Sequence, residues 1–169
     1  NSYLSRQITQ NFPHNPTEDQ FSALKTLTDF LLSVESDTLL LLKGYAGTGK
    51  TSLVGALVKT LSELQQKTFL LAPTGRAAKV FSNYSGQKAY TIHKKIYRQK
   101  AFSNEPTGFM PADNLHKDTL FIVDEASMIS NDGIDSISFG TGRLLDDLIQ
   151  YVYSGANCRL ILMGDEAQL

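Results

Sequence analysis

A length of 169 residues is that of one domain and excludes two complete catalytic domains side by side. With 41% hydrophobic and 20% charged residues the chain is too apolar to be disordered, and a net charge of −1 excludes a uniformly basic nucleic-acid coat. The longest aliphatic run, Leu39 to Leu42, is far short of the roughly 20 residues of a spanning helix, so a soluble, cytoplasmic chain without a membrane partner is expected.

In chain order, residues 1–16 begin with a polar stretch that reads as irregular, and organised structure is expected from 17 to 169. Phe21, Leu24, Leu27, Leu31 and Val34 recur at helical spacing, and Thr17 with Gln20 fits a capping box that opens the helix. Thr38 to Lys43 is apolar without alternation, as expected of a parallel strand buried on both faces. A glycine-rich loop follows, and then a helix is predicted over Lys50 to Gln65. Thr68 to Ala72, Leu120 to Val123 and Leu160 to Met163 read as further buried strands, with helices over Arg76 to Tyr84 and Arg143 to Tyr153 between them. Alternating strands and helices imply an α/β fold with a parallel sheet flanked by helices. Gln99 to Asp118 and Ser130 to Gly142 are long connections of the kind that carry function. Cys158, the only cysteine, lies beside a strand and reads as a buried structural thiol; no cysteine or histidine spacing points to zinc. His14 and His116 show no partner pattern and read as surface residues.

Gly44-Tyr-Ala-Gly-Thr-Gly-Lys50-Thr51 satisfies G-x-x-x-x-G-K-[ST] between a predicted strand and a predicted helix, the context a P-loop requires. Backbone N–H groups of Gly44, Ala46, Gly47, Thr48 and Gly49, running on to Ser52, would curl around phosphate oxygens at a helix N-terminus. Lys50 is expected to reach the β- and γ-phosphates of ATP and Thr51 to bind Mg²⁺. Asp124 and Glu125 end a buried strand: Asp124 is the candidate magnesium ligand, acting through water, and Glu125 the candidate general base. The strand Thr68 to Ala72 argues for the ATPase branch in which a further strand separates the P-loop strand from the acidic one.

Five stretches then stand in order: Thr17-Glu-Asp-Gln20, the P-loop, Leu71-Ala-Pro-Thr-Gly-Arg-Ala-Ala78, Asp124-Glu-Ala-Ser-Met128 and Gly164-Asp-Glu-Ala-Gln-Leu169, with Thr91-Ile-His93 as a weaker sixth. The ordered set resembles the first, RecA-like motor domain of a superfamily 1B DNA helicase of the RecD-like and Dda-like branch. The resemblance implies that Gln20 reads adenine, that Gln168 senses the γ-phosphate, and that Thr74, Gly75, Arg76 and His93 contact single-stranded DNA. Charge supports the last point independently. Leu64 to Asn104 contains no Asp or Glu but eight Lys and Arg, interspersed with Phe81, Tyr84, Tyr90, Tyr97 and Phe102, and a single strand needs both phosphate neutralisation and stacking faces. Phe81 and Tyr84, at helical spacing, read instead as core.

The same resemblance implies a second motor domain that supplies arginine fingers and the other wall of the ATP cleft. The chain ends at Leu169, directly after the last of the five stretches, so it reads as part of a larger helicase that binds nucleotide with little turnover by itself. Two other classes stay open: a stand-alone P-loop ATPase switch or remodelling protein without nucleic acid, and a nucleotide-binding scaffold without turnover.

Overall fold

The computed structural model describes residues 3–44, 49–99, 109–129 and 143–165, with backbone alone at Gln99, Phe109 and Asp165. The chain opens with a helix, α1 (Tyr3–Gln10), where an irregular stretch was expected. Its polar composition hid the one residue that decides the matter, since Ile8 is fully buried against the core. α2 (Glu18–Leu32) begins with the expected capping box, and the helix turns Gln20, Leu24, Leu27 and Thr28 inward. Phe21 and Val34 of the predicted apolar face are exposed, Val34 because the helix has already ended at Leu32.

β1 (Leu40–Gly44), α3 (Lys50–Glu63), β2 (Thr68–Ala72), α4 (Gly75–Ser85), β3 (Ala89–Thr91) and α5 (Ile92–Ile96) follow. Next come β4 (Tyr97–Gln99) and β5 (Phe109–Pro111), then β6 (Leu120–Val123), a 3₁₀ turn over Ala126–Met128, α6 (Leu144–Ser154) and β7 (Arg159–Asp165). The long connection before Asp118 therefore carries structure of its own: β4 and β5 pair as an antiparallel ribbon. The other five strands form one parallel sheet in the order β1-β7-β6-β2-β3.

That order corrects one expectation. The strand that separates the P-loop strand β1 from the acidic strand β6 is β7, while Thr68 to Ala72 pairs with the far side of β6. Chain proximity placed β2 between the two motifs in sequence; only pairing places β7 between them in space. Among the described residues β1 is an edge strand, and Leu41 is 41% exposed rather than buried on both faces.

The central strands meet the expectation of two-sided burial. Leu70, Leu120, Ile122, Ile161 and Met163 face one core with Leu57 of α3 and Phe81 of α4. Their neighbours Leu71, Phe121, Val123, Leu160 and Leu162 face a second core with Ile92, Ile96 and Leu148. Successive residues of a strand point to opposite faces, so a sheet covered on both sides needs uninterrupted apolar runs. Cys158 is buried in the second core, as expected.

Candidate nucleotide and strand-binding site

The C-terminal ends of β1, β7 and β6 lie side by side, with Gly44 opposite Asp165 in register and Asp124 directly following Val123. In open α/β sheets this edge is where ligands bind. α3 starts at Lys50, so its unpaired N–H groups and partial positive charge face the same edge. Of the predicted loop, Gly44 and Gly49 frame the site; Ala46, Gly47 and Thr48 lie outside the described residues, as does Gln168.

Gly49 adopts φ +80°, in the left-handed region, and a Cβ there would stand 2.2 Å from Nε2 of Gln20. Glycine is needed on both counts. The close approach exists because the Gln20 amide makes two contacts at once. Its Oε1 accepts from the Thr17 N–H (2.9 Å), closing the capping box, and its Nε2 donates to the Gly49 carbonyl (2.9 Å). An amide has two acceptor lone pairs and two N–H groups, so capping and a further ligand contact are compatible. Gln20 borders a cleft of about 400 Å³ that is also lined by Ala23, Leu42, Lys43, Lys50 and Leu53.

Lys50 and Asp124, 74 residues apart, meet at the sheet edge: Nζ stands 2.9 Å from Oδ1. Asp124 is 4% exposed, and its carboxylate also accepts from the Glu125 N–H at Oδ1 (2.8 Å) and from the Tyr84 hydroxyl at Oδ2 (2.6 Å). Glu125 itself is half-buried, with φ 55° in the left-handed region at the start of the 3₁₀ turn. A non-glycine residue there is uncommon. Thr51 is exposed on the first turn of α3 and Ser52 half-buried beside it.

Tyr84 is the residue that sequence reasoning placed elsewhere. Its ring does pack in the core, 5.3 Å from Phe81, but its hydroxyl belongs to the site. Burial, then the charge of Asp124 and the hydrogen bond to it, push its pKa far above the ordinary phenol value, so it stays a donor. The available signal was chemical only: a buried tyrosine hydroxyl needs a partner, and nothing along the chain says which.

Among the described residues no three His, Cys, Asp or Glu side chains cluster to hold a metal by themselves. The donor set suits Mg²⁺ nonetheless, because that ion keeps waters and takes few protein oxygens when phosphates supply the others. Among the described residues the Thr51 hydroxyl and the Asp124 carboxylate are oxygens of this kind.

Thr74, Gly75 and Arg76 are consecutive exposed residues just past β2, and Thr74 caps α4 by accepting from the Ala77 N–H (3.1 Å). β3 runs beside β2, pairing Thr91 with Ala72, so His93 leaves the sheet at the same edge. His93 is half-buried, its ring centroid lies 5.7 Å from that of Tyr97, and burial lowers its pKa. His116, expected as a plain surface residue, is half-buried: its ring packs on Phe69 at 4.5 Å and its Nε2 stands 2.9 Å from Lys95 Nζ. Burial first, then Lys95 and Lys67, lower its pKa. Lys95 Nζ in turn lies 3.7 Å over the Phe69 ring, a cation–π contact.

A parallel sheet covered by helices, with a glycine loop opening a helix at one strand and an acidic pair ending another, is that of a RecA-like P-loop domain. The chain belongs to the AAA domain family, whose model matches residues 17–169. It is similar to the ATP-dependent RecD2 DNA helicase of Deinococcus radiodurans, 31% identical over 154 residues that cover 90% of this chain and 18% of that protein. It is also similar to the uncharacterized protein MJ1519 of Methanocaldococcus jannaschii, 27% identical over 169 residues that cover 90% of this chain and 13% of that one. Among solved structures, the Pif1 helicase from Candida albicans shares the fold with a TM-score of 0.51 at 17% identity, over 90% of this chain and 33% of that one. The chain thus spans less than a fifth of the length of the two relatives. No described helix is long and apolar enough to cross a membrane.

Proposed function

We propose that this domain binds ATP with Mg²⁺ at the Lys50–Asp124 edge and serves as the first motor domain of a DNA helicase, coupling hydrolysis to movement along single-stranded DNA. The observation that carries the reading is the 2.9 Å contact between Lys50 and Asp124, which brings the two halves of a nucleotide-hydrolysing site together from opposite sides of β7. The similarity to a RecD2 helicase supports the choice of DNA motor over ATPase switch.

Lys50 binds the β- and γ-phosphate oxygens by exchanging its bond to Asp124 for one to phosphate. The loop backbone and the start of α3 hold the same anion. Gln20 orients the base from the cleft beside Gly49. Thr51 and, through water, Asp124 would hold Mg²⁺, which would supply neutralisation of the phosphate charge. Glu125 takes the proton of the attacking water, and Gln168 senses the γ-phosphate. Thr74, Gly75, Arg76 and His93 hold the strand at the neighbouring edge, and a second motor domain closes the cleft.

Calorimetric titration with ADP and Mg²⁺ tests the site. Lys50→Ala abolishes binding, because no other side chain of the loop supplies a full positive charge; equal affinities would remove the phosphate site from this position.

A further inference from the structure

Asp124 is held from three directions. Lys50 and the Glu125 N–H bond Oδ1, and the Tyr84 hydroxyl bonds Oδ2 at 2.6 Å. Only the third contact comes from a part of the chain that none of the recognisable nucleotide-site stretches includes.

The tyrosine reaches the carboxylate through a specific packing arrangement. α4 lies against α3, and a Cβ on Gly55 would stand 3.4 Å from the Tyr84 carbonyl, in van der Waals contact. That contact brings the C-terminal turn of α4 against the first turns of α3, one turn beyond Thr51. Phe81, one turn earlier on α4 and fully buried, stacks on the Tyr84 ring with an interplanar angle of 27°. Ring and helix thus fix where the hydroxyl stands.

The consequence appears when Lys50 changes partner. Phosphate oxygens compete for the ammonium, and once it moves, Oδ1 keeps a single neutral donor. A carboxylate this buried then depends on its remaining bonds for orientation. Two donors on opposite oxygens, Glu125 N–H and Tyr84 O–H, stop rotation about the Cβ–Cγ bond. With Oδ2 occupied, Oδ1 is the oxygen turned toward the place the lysine leaves. We propose that Tyr84 is a positioning residue for the divalent-cation site: its hydroxyl holds Asp124 ready to accept from the cation's water when nucleotide draws Lys50 away. This rests on the nucleotide-site reading above.

The test is Tyr84→Phe, which keeps the ring packing against Phe81 and removes only the hydroxyl. Binding of mant-ADP is followed by fluorescence in EDTA and then at fixed nucleotide with increasing MgCl₂. Partners behind a metal-facing group are typically worth 10-fold or more in metal affinity, so the Mg²⁺ midpoint should rise by about 10-fold. Affinity in EDTA should stay within about twofold, since Oδ2 does not face the phosphate-binding lysine. In an Asp124→Ala background the same substitution should leave the Mg²⁺ dependence unchanged. An unaltered midpoint in the single variant overturns the proposal. So does an equal loss with and without metal, which marks Tyr84 as structural only, and so does a shift that persists without Asp124. Failure of the unsubstituted chain to bind mant-ADP would show instead that the nucleotide-site reading itself is wrong.

Discussion

Replacing Asp124 with asparagine separates the two tasks of the Lys50–Asp124 contact. As the side chains stand, Lys50 is bound to a carboxylate at 2.9 Å, with side-chain exposures of 15% and 5%, so phosphate must compete for it. Two unit charges at that distance attract by about 6 kcal/mol at an effective dielectric constant of about 20. Most of this is offset by the desolvation of both ions and by the dipolar attraction that an asparagine amide oxygen would retain. A net release of about 1–2 kcal/mol remains, which corresponds to roughly 5- to 30-fold tighter binding of metal-free ADP. Loss of the carboxylate also removes its repulsion toward the phosphates. With Mg²⁺ present the order reverses, because the variant lacks the anionic acceptor for the cation's water. Isothermal titration of wild type and Asp124→Asn with ADP, once in EDTA and once in excess Mg²⁺, reads both effects. Equal or weaker binding by the variant in EDTA would refute the idea that Asp124 holds the lysine away from phosphate.

Three other outcomes follow from the same geometry. Glu125→Gln in a two-domain helicase carrying this domain should keep nucleotide affinity and lower turnover by roughly 10²- to 10⁴-fold in a phosphate-release assay, since the amide keeps the shape and loses the basicity. Arg76→Ala should flatten the salt dependence of oligo-dT binding: for two to four phosphate contacts the slope of log affinity on log salt is about −1.5 to −3, and fluorescence anisotropy should show it fall by about 0.7. Gly49→Ala should destabilise the domain by about 2–3 kcal/mol in urea denaturation, combining the cost of a left-handed residue with loss of the Gln20 cap that its Cβ would displace.

The sequence features on which the proposed nucleotide site rests are legible along the chain because they are local. A P-loop needs consecutive residues of particular freedom and charge, and Gly49, Lys50 and Thr51 sit together for that reason. The capping box at Thr17 and Gln20 was legible on the same ground, since its partners are three residues apart and the bonds are backbone to side chain. The central strands announced themselves through uninterrupted apolar runs, which only a sheet covered on both faces requires. Phe81 was read as core from its helical spacing alone, and it is fully buried.

What the tertiary structure decided is everything that depends on which distant elements become neighbours. α1 is carried by Ile8 finding the core, a contact that eight mostly polar residues do not advertise. The order β1-β7-β6-β2-β3 follows from long-range pairing, and it put β7 between the two motifs and left β1 at an edge with Leu41 exposed. Lys95 meets His116 over Phe69 because α5, β2 and the segment before β6 converge, although 21 residues separate the pair. Tyr84 has the same helical spacing as Phe81, yet its hydroxyl reaches a carboxylate 40 residues away while its ring packs as predicted. Periodicity reports which face of an element is apolar; it carries no term for the polar end of an amphipathic side chain, whose partner is chosen only when two helices and a strand end come together.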